Sequence, residues 1–154
     1  MNEKSELPIA LRSAYLAMHR QTDACFAKHG VTADQFVLLA TLSRGNALTQ
    51  RELARRMSSD PSTVRAMLIL LEKSGFVERE VLPSDSRSRT VALTAAGKSK
   101  FRQLRNVSEQ LRTSMVEAIG PENVSEFIQH LNRLSESLSS DRLPSANRKQ
   151  SSST

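Results

Sequence analysis

The sequence predicts a mainly α-helical fold that contains a helix-turn-helix followed by a two-stranded hairpin. Apolar residues recur at helical spacing along most of the chain, and Ser, Thr or Asp precedes several of these stripes. One short segment after residue 75 alternates instead, which indicates strands rather than a helix. Aromatic residues make up 4% of the chain and Trp is absent, so the core must consist of Leu, Val, Ala and Met.

Two helices are predicted before residue 45. The first runs from Pro8 to about Lys28, because Pro suits a first helical position, and it ends at Gly30. The second begins at 32-TADQ-35, a capping box in which side chains at both ends satisfy free backbone N–H groups. Its buried stripe is predicted to comprise Phe36, Leu39, Ala40 and Leu42.

Two more start signals follow closely. The segment 49-TQRE-52 has the form of a second box and leads a short helix. Asp60-Pro61 offers an Asp cap with Pro at the first position, and this helix ends at Ser74-Gly75. A short helix, a tight turn and a helix form a helix-turn-helix. The inward residues are predicted to be Leu53, Ala54 and Met57, then Val64, Met67, Leu68, Leu70 and Leu71.

A hairpin, or wing, is predicted next. Its strands run from Phe76 to Val81 and from Thr90 to Leu93, with a polar loop from Pro83 to Arg89. Thr94 then caps a long helix that is expected to reach Gly120, and a last helix restarts there. The expected stripes are Leu104, Val107, Leu111 and Met115, then Val124, Phe127, Ile128, Leu131, Leu134 and Leu138. The polar tail 139–154 is predicted to be disordered.

The charge is concentrated in the middle of the chain. The whole sequence carries +6, whereas Arg44 to Arg105 holds thirteen Lys or Arg and six Asp or Glu, a net +7. Such an excess indicates nucleic acid or an anionic membrane as partner. No apolar run approaches the roughly 18 residues of a membrane span, and a single cysteine, Cys25, fits a reducing compartment. A soluble, cytoplasmic protein without a cofactor is expected.

The helix-turn-helix explains the basic residues. A recognition helix presents its first turns to base edges in the major groove, which here are Ser62, Thr63, Arg65 and Ala66. An arginine on a wing can enter the narrow minor groove, where negative potential is concentrated, and Asp85 could hold Arg87 in place. The alternative is that these polar residues are simply solvated, as in any capped amphipathic helix and exposed loop.

These segments resemble the multiple antibiotic resistance regulator (MarR) family. The pattern Asp85-x-Arg87-x-x-x-Val91-x-Leu93-Thr94, with Gly97 after it, is similar to the wing signature of that family. The runs Leu53-Ala54, Ser62-Thr63-Val64 and 71-LEKSGFVER-79 also resemble it, although the family usually has Leu at the position of Phe76. The similarity is strong from Val31 to Lys98.

The resemblance implies a homodimeric winged helix-turn-helix transcription regulator, usually a repressor, that binds a pseudo-palindromic operator in double-stranded DNA. Residues 31–98 would bind DNA, and the helices in 1–30 and 99–138 would form the dimer. Long apolar stripes outside the wing unit also favour a dimer, although an intrachain helical pair could cover them. The implied DNA contacts are Ser62, Thr63 and Arg65 in the major groove, Arg87 with Asp85 in the minor groove, and Arg79 and Arg89 on the backbone. A small phenolic or anionic effector is implied as well.

Three alternatives accompany this interpretation. Cys25 and His29 are four residues apart on one helix face, so a cysteine-based redox sensor is possible, and a buried apolar Cys25 is the simpler alternative. An enzyme is not expected, because His19, His29 and His130 are scattered and only His29 has a partner nearby in sequence. A winged helix that binds another protein is the third alternative, and the central charge argues against it.

Overall fold

The computed structural model describes residues 2–45, 47–82 and 85–139, without the side chains of 81, 82 and 85–88. In these ranges the fold is mainly helical, as the sequence predicts, and it contains a three-stranded sheet where the sequence predicts only a two-stranded hairpin. The chain divides into two compact units, residues 1–111 and 112–154. The predicted disordered tail lies, apart from its first residue, outside the described ranges.

The first helix, α1, spans Glu3–Phe26, and a 3-10 turn follows at Ala27–His29. The predicted start at Pro8 is wrong, since Pro8 lies inside the helix. Asn2 caps α1 instead, because its side chain accepts a hydrogen bond of 3.0 Å from the backbone three residues on. The predicted end is confirmed: Gly30 adopts a left-handed φ of 67°, as a glycine after a helix commonly does.

The second helix, α2, spans Ala33–Ser43 and begins with the predicted capping box. Thr32 Oγ1 accepts a hydrogen bond from Gln35 N, and Gln35 Oε1 accepts one from Thr32 N, both at 3.1 Å. A further bond joins the two helices, since Asp23 Oδ1 accepts from Ala33 N at 2.7 Å. The end of α1 is therefore fixed to the start of α2.

The helix-turn-helix is formed by α3, Gln50–Arg56, and α4, Pro61–Lys73. Both predicted helix starts are confirmed, although Thr49 acts as a simple cap and not as half of a capping box. Thr49 Oγ1 accepts from the backbone N–H three residues on at 3.1 Å, and Asp60 Oδ1 does the same at 2.9 Å. Gly75 follows the last turn of α4 with a left-handed φ of 80°, which confirms the predicted end.

The sheet has the order β1-β3-β2, with antiparallel pairs throughout. Its strands are Leu48–Thr49, Val77–Leu82 and Asp85–Leu93. Strand β1 was not predicted, because two residues show no alternation. It pairs with the second half of β3, with Leu48 opposite Val91.

The hairpin is longer than the sequence predicts. Residues from Asp85 to Arg89 were expected in a loop, but they belong to β3, so that expectation is wrong. Cross-strand pairing continues to Leu82 and Asp85 after a shift of register between Val81 and Leu82. Backbone hydrogen bonds to β2 extend the strand through polar residues that have no apolar alternation of their own.

The long helix expected after Thr94 is interrupted. It consists of α5, Ala95–Val107, and α6, Glu109–Ile119. Ser108 separates them with φ −96° and ψ 5°, is 3% exposed, and donates its hydroxyl to Leu104 O at 2.9 Å. Serine competes for backbone hydrogen bonds in this way and favours a helix end over a helix interior.

The core of the first unit is aliphatic, with a small aromatic cluster. Two expectations about it are wrong: Leu70 is 54% exposed, and Leu38, which was not predicted to be buried, is fully buried. Phe36 lies at the edge, where its ring packs on Phe26 and stacks on Phe101 at 5.6 Å between centroids. The buried residues are Phe26, Val31, Leu38, Leu39, Leu42, Leu53, Ala54, Val64, Met67, Leu68, Leu71, Val77, Val91, Leu93 and Leu104.

The second unit contains most of α6, a 3-10 turn at Pro121–Asn123 and α7, Val124–Ser139. The predicted restart after Gly120 is confirmed. Several of the expected apolar residues of α6 and α7 are exposed in this single chain, namely Met115, Phe127, Ile128 and Leu138. In the described ranges, none of the helices is long and apolar enough to cross a membrane.

Candidate nucleic-acid interface

Helix α4 is buried on one side and exposed on the other. Its packed residues are Val64, Met67, Leu68 and Leu71, which lie three or four positions apart and therefore share one face. The predicted outward residues are all exposed: Ser62, Thr63, Arg65 and Ala66. The sequence thus identifies correctly which face of α4 is open to a partner.

The first turn of α4 is held by Asp60. Its carboxylate accepts hydrogen bonds from Thr63 N at 2.9 Å and from Thr63 Oγ1 at 2.6 Å. The hydroxyl bond and the backbone bond lower the pKa of Asp60, so this group stays ionised at neutral pH. The Thr63 hydroxyl donates its hydrogen bond to Asp60. The lone pairs of Thr63 Oγ1 therefore remain free to accept a hydrogen bond from a partner.

Helix α3 carries a cluster of charges that the sequence analysis did not single out. Glu52 binds Arg55 Nη2 at 2.6 Å and Arg56 Nε at 3.0 Å. Hydrogen bonds from these two arginines lower the pKa of Glu52 to about 2. The Glu52 carboxylate therefore binds two arginines of α3 and does not complete the capping box predicted at Thr49. Arginines at i+3 and i+4 from a glutamate, as in 52-ELARR-56, would have indicated this.

A strained turn joins α3 to α4. Ser58 has a φ of 51°, the only positive value of a non-glycine residue in the described ranges. Ser58 N donates to Arg55 O at 3.1 Å, and Ser59 N donates to Ala54 O at 3.0 Å. These bonds fix the path of the turn, and hence the direction in which α4 leaves it.

Arg79 connects the hairpin to α4. It lies on β2 on the inward-facing side with Val77, and its Nε is buried 3.0 Å from Glu72 Oε2. The side chain is 25% exposed, whereas that of Glu72 is 46% exposed. This ion pair joins the last turns of α4 to the base of the wing.

The remaining predicted wing residues belong to β3. Arg89 is exposed and lies opposite Val81. Asp85 and Arg87 lie on the same strand, but their side chains, and so the predicted contact between them, fall outside the described residues.

The start of α5 is joined to the hairpin through Thr94. Its hydroxyl donates to Gly75 O at 2.6 Å and accepts from Gly97 N at 3.0 Å. Its backbone N–H donates to Phe76 O at 3.1 Å. One residue thus links the end of α4, the start of β2 and the first turn of α5.

Comparison with known proteins agrees with this architecture. Residues 31–88, which run from the start of α2 into the wing, match the family model described as the MarR family. The match to the MarR family covers these residues only, and the chain is similar to that family over its helix-turn-helix and the start of its hairpin. Similar proteins include the HTH-type transcriptional repressor MdtR of Bacillus subtilis, 29% identical over 100 residues that cover 65% of this chain and 64% of MdtR.

Two further proteins are similar to this chain. An HTH-type transcriptional repressor of Mycobacterium tuberculosis is 35% identical over 79 residues, which cover 51% of this chain and 57% of that protein. A structure of the transcriptional repressor CouR bound to a 23-mer DNA duplex is 28% identical, with a TM-score of 0.78. It covers 88% of this chain and 96% of the CouR chain. With the curated relatives the match spans less than two thirds of their length, 64% and 57%.

The first unit also contains a cavity of about 490 Å³. Its walls come from the end of α2, from β3 and from α5, and they combine an apolar surface with Lys98 and Arg102. These two cations are four residues apart on α5 and so share a face. The apolar lining is Leu42, Ala92, Leu93 and Phe101, with Ser43 and Gly45 at the side. Sequence reasoning missed this site because its walls are distant in the chain.

Cys25 is half-buried and packs against the core of the first unit. His29 lies in the 3-10 turn rather than in α1, and in the described ranges no hydrogen bond or ion pair joins it to Cys25. Redox sensing by Cys25 stays a prediction. The expectation that only His29 has a nearby partner is wrong, because His19 lies 3.4 Å from Asp23 and 3.5 Å from Asp34.

Proposed function

We propose that this chain is a transcriptional regulator of the MarR type that binds a specific double-stranded DNA site through α4. The observation that carries the proposal is the exposed face of that helix, which presents Ser62, Thr63, Arg65 and Ala66 while the opposite face packs in the core. A capped, rigid helix after a short turn has the dimensions that the major groove admits. The names of MdtR and the mycobacterial relative favour repression as the mode of regulation.

Each exposed residue of α4 has a distinct chemistry toward DNA. Arg65 can donate two hydrogen bonds to guanine O6 and N7, which contributes about 1–3 kcal/mol of discrimination against other bases. Thr63 would act as a hydrogen-bond acceptor, since its hydroxyl already donates to Asp60 at 2.6 Å. Ser62 can donate or accept at a base or a phosphate.

The wing supplies the second proposed contact. Arg87 would enter the minor groove with Asp85 as its partner, and Arg89, which is exposed, would bind the DNA backbone. Arg79 was also expected on the backbone. Its Nε is already paired with Glu72, so we propose that it mainly positions the wing relative to α4 and contacts phosphate only through its terminal nitrogens.

We propose that the chain forms a homodimer, because many large apolar side chains are exposed in the single chain. In α1 these residues include Leu7, Ile9 and Tyr15, which are 50–58% exposed, and in α7 Ile128 and Leu138 are similarly open. A second copy of the chain would remove such side chains from water, which favours association. A two-fold dimer would present two copies of α4 to a pseudo-palindromic site, with half-sites about one helical turn apart.

A small anionic or phenolic effector is proposed for the cavity between α2, β3 and α5. Its volume of about 490 Å³ lies within the usual range of small-molecule sites. Phe101 and Leu93 offer an apolar surface for a ring, and Lys98 and Arg102 offer positive charge for a carboxylate or phenolate. A ligand that displaces α5 from β3 would change the position of the hairpin on DNA.

The test is fluorescence anisotropy with the DNA upstream of the gene for this chain, compared with scrambled DNA at several salt concentrations. Specific binding is expected to be at least about 10³-fold tighter than binding to scrambled DNA. The logarithm of the affinity should fall linearly with the logarithm of the salt concentration. Arg65→Ala should weaken only the specific complex, and Arg20→Ala, which removes an exposed charge from α1, is the matched control.

Equal, weak binding to both DNAs would leave two explanations. Either the operator lies elsewhere in the genome, or the winged helix binds another protein. A selection from random DNA with the full chain separates these two. A consensus site would support the regulator, and failure to enrich any sequence would refute specific DNA binding and favour the protein-interaction module. Sedimentation of the same sample tests the dimer, since a monomer at micromolar concentration would contradict it.

A further inference from the structure

Ile69 is a large apolar side chain on the exposed face of the recognition helix. It is 51% exposed in a helix whose other large apolar residues, apart from Leu70, are buried. Single exposed apolar residues are common and need no explanation by themselves. What distinguishes Ile69 is its alignment with residues that face the proposed DNA site.

Helix geometry places Ile69 in a row with Ser62 and Ala66. At 3.6 residues and 5.4 Å per turn, Ile69 lies about 20° around the axis from Ser62 and about 10.5 Å farther along it. Ala66 lies between them, and Lys73 continues the row after one more turn. Since base pairs are about 3.4 Å apart, Ile69 stands about three base pairs beyond Ser62 if α4 follows the groove.

The surroundings of Ile69 carry charge, and the one acidic neighbour within a turn, Glu72, is paired with Arg79. Arg65 precedes it by one turn, Lys73 follows it by one turn, and both are exposed. A partner that meets this row must therefore combine negative charge with a small apolar group at about the position of Ile69. The major groove of DNA offers that combination, because the C5-methyl group of thymine is its one apolar feature, beside the phosphates.

We propose that Ile69, supported by Ala66, is a specificity-determining residue that binds the C5-methyl group of thymine in the operator. The proposal rests on the proposed function, since it requires α4 in the major groove. Leu70 is equally exposed at 54%, but it lies about 100° away from Ile69, toward Thr63. Leu70 is in line with Thr63 at the flank of the exposed face, whereas Ile69 and Ser62 lie nearly opposite the buried residues, so the contact is assigned to Ile69.

The test replaces thymine by uracil, which removes only the methyl group. The DNA site is first obtained by selection with the unaltered full-length protein, and each thymine of one half-site is then replaced in turn. Anisotropy titrations compare the parent, Ile69→Ala and the matched control Leu70→Ala. Burial of one methyl group corresponds to about a fourfold change in affinity, so the parent should lose about fourfold at one or two positions.

At those positions, the replacement of thymine by uracil should not weaken DNA binding by Ile69→Ala. It should weaken DNA binding by Leu70→Ala as much as it weakens binding by the parent. Equal losses in the parent and Ile69→Ala, or no loss at any thymine, would overturn the inference. If Leu70→Ala is insensitive to the replacement and Ile69→Ala is not, then Leu70 makes the methyl contact. That result would overturn the inference as well. A parent protein that selects no site would refute the proposed function itself. Thermal unfolding of both variants confirms that they remain folded.

Discussion

Replacement of Gly97 by alanine should destabilise the first unit strongly. An ideal Cβ on Gly97 would overlap the carbonyl oxygen of Phe76 and lie 2.9 Å from its carbonyl carbon. That carbonyl accepts the hydrogen bond from Thr94 N at 3.1 Å, so the first turn of α5 must move away from the hairpin. Overpacking costs about 1–3 kcal/mol, and two weakened hydrogen bonds cost about 1 kcal/mol each. The better helix propensity of alanine returns about 1 kcal/mol, which leaves a net loss of about 2–4 kcal/mol.

Urea unfolding followed by circular dichroism measures this loss, at one protein concentration because a dimer makes stability depend on it. The midpoint should fall while the slope stays constant. Ser99→Ala, two residues on and exposed, is the control and should change stability by less than about 0.5 kcal/mol. A Gly97→Ala protein as stable as the parent would refute the close approach of α5 to β2.

Arg87→Ala should weaken specific DNA binding by about tenfold or more, since a charge-assisted hydrogen bond contributes about 1.5–3 kcal/mol; unchanged anisotropy titrations would contradict a wing contact. Glu52→Gln should lower the melting temperature slightly at pH 7, and the difference should shrink as the pH falls from 4.5 toward 2. The sign follows because the pKa of Glu52 is lowered to about 2, so its stabilisation is present above pH 4.5 and lost in acid; a difference that stays constant down to pH 2.5 would argue against the arginine contacts. Ser58→Gly should raise the free energy of unfolding by up to about 1 kcal/mol, because Ser58 has a φ of 51°, and a lower urea midpoint would disprove that strain.

Helix starts were predictable because caps are local. Thr32, Asp60 and Thr94 each bind a backbone N–H three residues on, so the residues that form the bond are adjacent in the sequence. The same reasoning failed at Pro8, where a favourable residue type was preferred to the cap that Asn2 supplies. A start signal is therefore informative only relative to the other signals near it.

Strand ends and side-chain burial depend on partners distant in the sequence. Residues 85–89 extend β3 only because β2 lies beside them. Leu38 is buried and Leu70 exposed because neighbouring helices cover one side of each helix, and periodicity alone tolerates either choice. For the candidate interface, the sequence predicted which residues of α4 are exposed. It did not show that Arg79 is paired with Glu72 or that a cavity borders α5.

The ion pair between Arg79 and Glu72 restricts the movement of the wing relative to α4. A recognition helix and a wing joined only by a flexible segment could reach DNA contacts over a range of separations. Here the ion pair between Arg79 Nε and Glu72 Oε2, 3.0 Å apart, links the base of the hairpin to the end of α4, so in the proposed complex the two contacts would keep a narrower range of separations. In the proposed complex, the distance between bases within a half-site would then matter beside the identity of the bases.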